Sequence, residues 1–171
     1  MRLRDIILAP KANVTLTEWT NDKPKKRDFP LSRSRGGGSF PLTRKWRWAV
    51  VDFDAKGSRF RLLVAYHVEV PEFKAVLGEV VGSDTRVILR LEYHANHPKL
   101  GWHVHANCEE LDEISLGAMK PLGQARIPGA HDRHRRSGYT VAGNPMNDNM
   151  AVDIAADWFR FRHQLTLGIE T

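Results

Sequence analysis

The chain has 171 residues and a mass of 19.5 kDa, enough for one ordinary domain that needs neither disulfide nor metal to fold. Hydrophobic residues make up 42% and charged residues 27%, which are globular values. No apolar run approaches the roughly 18 residues of a membrane span. The formal net charge is +6, and residues 1–48 carry all of the excess, with 12 Lys and Arg against 4 Asp and Glu. The remaining residues hold 14 against 16.

The N-terminal apolar stretch is too short for a signal peptide, and Asp5 interrupts it. Residues 14–19 alternate and predict a strand, so the first 20 residues read as an N-terminal strand segment. Residues 21–45 read as a flexible basic linker or loop, with Pro24, Pro30, Pro41 and three consecutive glycines at 36–38. Its densest charge is the run Lys23, Lys25, Lys26 and Arg27. Such a run attracts phosphate backbones by counterion release and carries no sequence information, so nucleic acid is the expected partner of this part. The alternative is a solvated loop that only aids solubility.

Residues 46–171 are read as a single α+β domain. Residues 46–53 and 59–68 are rich in aromatic and β-branched side chains and flank a turn at 54–57, which predicts a hairpin. Pro71 followed by Glu72 predicts the start of a short helix that ends at Gly78 or Gly82. Residues 85–94 alternate. Val87, Leu89, Leu91 and Tyr93 are expected on one side, and Ile88, Arg90, Glu92 and His94 on the other. A loop at 95–101 leads to a second strand at 102–106, on which His103 and His105 share a face. Residues 107–150 read as irregular. Asp148 or Asn149 is placed to cap a helix over 150–163 whose Ala151, Ile154, Ala155, Trp158 and Phe161 fall on one face. The expected fold is an antiparallel β-sheet with a short helix and a C-terminal helix packed on it.

Chemistry concentrates in residues 92–105, where four of the eight histidines fall within fourteen residues. If 85–94 and 102–106 pair, Glu92, His94, His103 and His105 converge on one face. Imidazole with carboxylate suits a divalent metal such as Zn, Mn, Fe or Ni, with His94, His103 and His105 as its ligands. The same groups suit metal-free acid–base catalysis, because histidine titrates near neutrality and a charged one stabilises a phosphoryl transition state. Ordinary surface histidines on a strand are the bland alternative. Arg90 and a loop with Arg133, Arg135 and Arg136 match phosphate oxygens by their forked geometry. The reading leaves His67, His131, His134 and His163 outside the site. Cys108, the single cysteine, excludes an internal disulfide framework and fits a reducing cytoplasm. Walker loops, dinucleotide fingerprints, G-x-S-x-G and H-E-x-x-H are absent from the sequence.

Two short resemblances rest on the same residues. His103, His105 and Glu110 followed by Gly117 resemble the first motif of the cupins. That resemblance implies a β-barrel holding a metal on His103, His105, Glu110 and a later histidine, with His131 in a loose echo of the second motif. Residues 111–116 depart from the apolar strand a cupin has there. The layout of His94, His97, Pro98, His103 and His105 is similar to small His-rich bacterial toxins of the TumE type, which implies a toxin acting inside the cell. The function expected from the residues is therefore that of a small cytoplasmic nuclease or phosphodiesterase using the His hairpin. The alternatives are a cupin-like metalloprotein and a non-catalytic accessory subunit that binds a protein partner. No membrane association is expected.

Overall fold

The computed structural model describes residues 3–25, 28–29, 42–94, 101–106 and 145–162, except the side chains of Asp84 and of 103–106. In chain order the elements are α1 (Leu3–Leu8), β1 (Ala12–Leu16), β2 (Trp46–Ala55), β3 (Ser58–His67), β4 (Glu72–Val81), β5 (Asp84–His94), β6 (Gly101–Ala106) and α2 (Asp148–Phe159). The six strands form one antiparallel sheet in the order β1-β2-β3-β4-β5-β6, so the fold is α+β. The described strands form an open sheet with β1 and β6 outermost, with no barrel closure among the described residues. No described helix is long and apolar enough to cross a membrane.

The strand period of two sorts the side chains onto two faces. Val51, Phe53, Phe60, Leu62, Phe73, Leu77, Leu89 and Leu91 bury on the face covered by both helices, and Leu3, Ile6, Ile7, Ile154, Ala155 and Phe159 complete that core. Stacked rings of Phe53 and Phe60 at 5.7 Å mark its centre. The far face holds a smaller cluster of Trp46, Trp48, Val50, Leu63, Ala65 and Val76, joined by Phe29 and Leu42. The indole N–H of Trp48 donates to the Asp22 carbonyl, and Arg61 donates to the Asp28 carbonyl, so Asp22 and Asp28 lie along this far face.

The hairpin expected at 46–68 is present. Its two-residue turn, Lys56 and Gly57, has φ of 51° and 77°, the paired left-handed conformation that matches the twist of the flanking strands. The short helix expected after Pro71 is not there: the same residues form β4, a central strand. Phe73, Ala75 and Leu77 recur every second residue, and β4 buries them between β3 and β5. Pairing on both edges outweighs the local signal of Pro71 and Glu72. The short helix is α1 instead. It is too brief to persist alone, and Lys11 ends it by donating to the carbonyls of Ile6, Ile7 and Ala9 at 2.7–2.8 Å. Burial pushes that amine down to about 8.

The alternation expected along β5 holds from Leu89 to His94 and fails before it. A bulge opposite Leu77 and Gly78 shifts the register, so Val87 packs on the far face and Ile88 on the helix-covered face. Gly78 allows the bulge, because a Cβ there would collide with the Thr85 methyl and lie 3.3 Å from the Arg86 carbonyl oxygen.

The C-terminal helix forms with its expected apolar face buried. Its cap is Asn147, one residue earlier than expected, which accepts from the Met150 amide. It ends at Arg160 in the left-handed region rather than running to 163. Arg47 grips Asp148 through two hydrogen bonds of 2.7 and 3.0 Å, and the Tyr66 hydroxyl donates to the same carboxylate at 2.8 Å. Burial opposes charge on Asp148, but these donors hold its carboxyl below the ordinary value. Burial and the same carboxylate push the Tyr66 phenol up to about 12.

Candidate functional site

The expected pairing of the two His-bearing strands is present, and the register is explicit. Glu92 stands opposite His103, Arg90 opposite His105, and His94 opposite Gly101. On its other edge β5 pairs with β4, which sets Lys74 opposite Glu92 and Glu72 opposite His94. Three rows therefore run across the far face: Glu72–His94–Gly101, Lys74–Glu92–His103 and Val76–Arg90–His105. The helix-covered side of β6 is anchored by Trp102, whose ring lies 5.0 Å from Tyr93, 5.5 Å from Phe73 and 5.7 Å from Trp158. That packing holds β6 against β5 and fixes which of its residues are register partners of Glu92 and Arg90.

Glu92 is the centre of the described cluster. It is one of two buried polar residues among those described, the other being Thr85. Its Oε1 lies 3.4 Å from Arg90 Nε and its Oε2 lies 3.8 Å from His94 Nε2. The other ring nitrogen of His94, Nδ1, lies 3.6 Å from Glu72 Oε1. Both imidazole nitrogens thus face a carboxylate. Burying a carboxylate is costly unless cations or donors surround it, and here an arginine and a histidine do so. Lys74 stretches the other way: Ala65 is small, and the ammonium lies 4.6 Å over the Trp46 ring.

The sequence-predicted residues divide clearly. Glu92, His94 and Arg90 are brought together. His103 and His105 stand at neighbouring register positions, and their side chains lie outside the description. Lys23 and Lys25 are exposed and follow Asp22, whose carbonyl meets Trp48 on the same far face. Lys26, Arg27, His97, Cys108, Glu110, Arg133, Arg135 and Arg136 lie outside the described residues. Glu72 and Lys74 were missed by sequence reasoning, because a helix over that segment gives them no register with β5. The alternation of Phe73, Ala75 and Leu77 was the signal that would have found them.

Among the described residues, no group of three His, Cys, Asp or Glu side chains is arranged to hold a metal. Chemically, the cluster offers a histidine able to pass a proton between two carboxylates, beside a guanidinium able to meet an anion. Compared with protein-family models, curated proteins and solved structures, the chain matches none of them.

Proposed function

We propose that the protein is a small phosphodiester-cleaving enzyme acting on nucleic acid, with its site on the far face of β5 and β6. The observation that carries this reading is the buried Glu92 carboxylate with Arg90 and His94 at 3.4 and 3.8 Å, in register with His103. His94 serves as general acid or base, with Glu92 orienting its imidazole. His103 supplies the second proton-transfer group, and Arg90 and His105 meet the phosphate. The basic run at Lys23, Lys25, Lys26 and Arg27 holds the polyanion, and Arg133, Arg135 and Arg136 add forked donors. A divalent metal on His94, His103 and His105 is the other chemistry this residue set supports. The single Cys108 fits work in a reducing cytoplasm.

The test uses fluorescently labelled RNA and DNA oligonucleotides under single-turnover conditions. Replacing His94, His103 or His105 by alanine is expected to slow cleavage by about 10²–10⁴-fold, as for loss of an acid–base group, with the thermal midpoint nearly unchanged. Metal analysis of the same preparations separates the two chemistries: metal lost with activity assigns ligation, and activity lost without a change in metal assigns proton transfer. No cleavage of either polymer by the wild-type chain, or full activity in all three variants, overturns the proposal.

A further inference from the structure

The turn between β3 and β4 carries a device that the proposed mechanism does not use. His67, the last residue of β3, accepts hydrogen bonds at Nδ1 from the backbone amides of Glu69 and Val70, at 3.2 and 3.3 Å. One imidazole nitrogen thereby gathers two successive N–H groups and closes the turn. The ring is held edge-on against Trp46, with centroids 5.4 Å apart. Two further bonds brace the loop: the Val68 amide donates to the Lys45 carbonyl at 2.9 Å, and the Glu72 amide donates to the Val70 carbonyl at 2.7 Å. The second of these fixes where β4 begins. Glu72 is the first residue of β4, directly opposite His94, with Oε1 3.6 Å from His94 Nδ1.

These contacts form a continuous chain from His67 through Val70 to Glu72 and then to His94. A first strand residue has its partner strand to fix it on one side and only its turn on the other. The turn's closure therefore sets how Glu72 meets the imidazole. We infer that His67 is a positioning residue for the site on β5: its Nδ1 closes the turn that delivers the Glu72 carboxylate to His94. The assignment rests on the proposed role of His94. It also fixes a chemical detail. A nitrogen that accepts two N–H bonds carries no proton, so His67 holds its proton on Nε2. The charged groups around this turn are Lys45 and Glu69, which pair with each other at 2.7 Å, then Glu72, and Lys74, whose ammonium lies on the Trp46 ring.

The test is imidazole NMR on 15N-labelled full-length protein and needs no catalytic readout. In the wild type, His67 is expected in the Nε2–H form. His67→Ala is expected to move the His94 ring resonances. His67→Asn, whose amide oxygen replaces Nδ1 as acceptor, is expected to return them close to wild type. In a Glu72→Gln background, His67→Ala is expected to add no further movement. A proton on Nδ1 of His67 overturns the inference. So do His94 resonances that ignore His67→Ala, or that move equally in the alanine and asparagine variants. The tautomer is read on wild-type protein, so a His67→Ala chain that fails to fold leaves the test standing. A chain that cleaves no nucleic acid overturns the proposed function without touching these readouts.

Discussion

Replacing Gly78 by alanine tests whether the β4–β5 bulge is packed as tightly as its geometry implies. The added methyl would collide with Cγ2 of Thr85 and sit 3.3 Å from the Arg86 carbonyl oxygen. Thr85 has no exposed surface, and the Arg86 carbonyl belongs to the strand backbone, so neither yields without moving β5. A glycine-to-alanine change gains about 0.4–1 kcal/mol by restricting the unfolded chain. Overpacking a filled site costs about 1–3 kcal/mol, so the contact outweighs the gain. The expected net loss is about 1–2 kcal/mol, or roughly 2–8 °C in Tm for a domain of this size. Thr85→Ser removes the offending methyl and on its own costs about 1 kcal/mol. In the double variant the alanine methyl fills the vacated space, so the two changes together should cost less than their sum by about 1 kcal/mol. Urea unfolding of the four proteins, with m held constant across them, measures the coupling. Strict additivity, or a Gly78→Ala chain as stable as wild type, refutes the reasoning.

Three further outcomes are expected. Asp148→Asn should cost about 1 kcal/mol near neutral pH, a figure kept low because both partners of the Arg47 pair are about one-third exposed. The folded carboxyl lies below its unfolded value, so this contribution is complete above about pH 5 and disappears as pH falls through the folded value; urea unfolding of both chains across pH 3–7 checks it. Asn147→Ala removes the acceptor for the Met150 amide and should cost about 1 kcal/mol, read as a lower Tm. Alanine at Lys23, Lys25, Lys26 and Arg27 together should weaken nucleic-acid binding across all sequences alike and flatten its salt dependence, measured by fluorescence anisotropy at several salt concentrations.

Much of the sheet is legible in the sequence where local and tertiary signals agree. Residues 46–68 combine alternation with a turn that favours the left-handed region, so the hairpin follows from local chemistry alone. The pairing of Glu92 with His103 is legible for the same reason, since both strands alternate and only six residues separate them in sequence. Glu72 was hidden because proline and glutamate open helices as readily as they precede strands. Only the neighbours on both edges of β4 decide between the two. The exchange of Val87 and Ile88 between faces was hidden too, because a bulge depends on the close approach of Gly78 to Thr85, which no periodicity records. The brief α1 offers only Leu3, Ile6 and Ile7 at helical spacing, less than two turns of signal, and exists by packing on the sheet and by the Lys11 cap.

Strictly sequential strand order has a consequence for how the chain is made. Each strand from β2 to β6 pairs with the strand just before it, so the sheet can lengthen one strand at a time as the polypeptide is synthesised from its N-terminus. Two closures come late. The rows on the far face are completed only when β6 joins, so a nascent chain ending before residue 101 carries Glu92 and His94 without their partners across the strand. The opposite face waits longer still. Its core gains Ile154, Ala155, Trp158 and Phe159 only when residues 148–159 emerge, about forty residues after β6. Between those two moments the growing protein holds a six-stranded sheet whose apolar side still lacks α2, the stage at which a chaperone or a neighbouring nascent chain would compete with its own last helix.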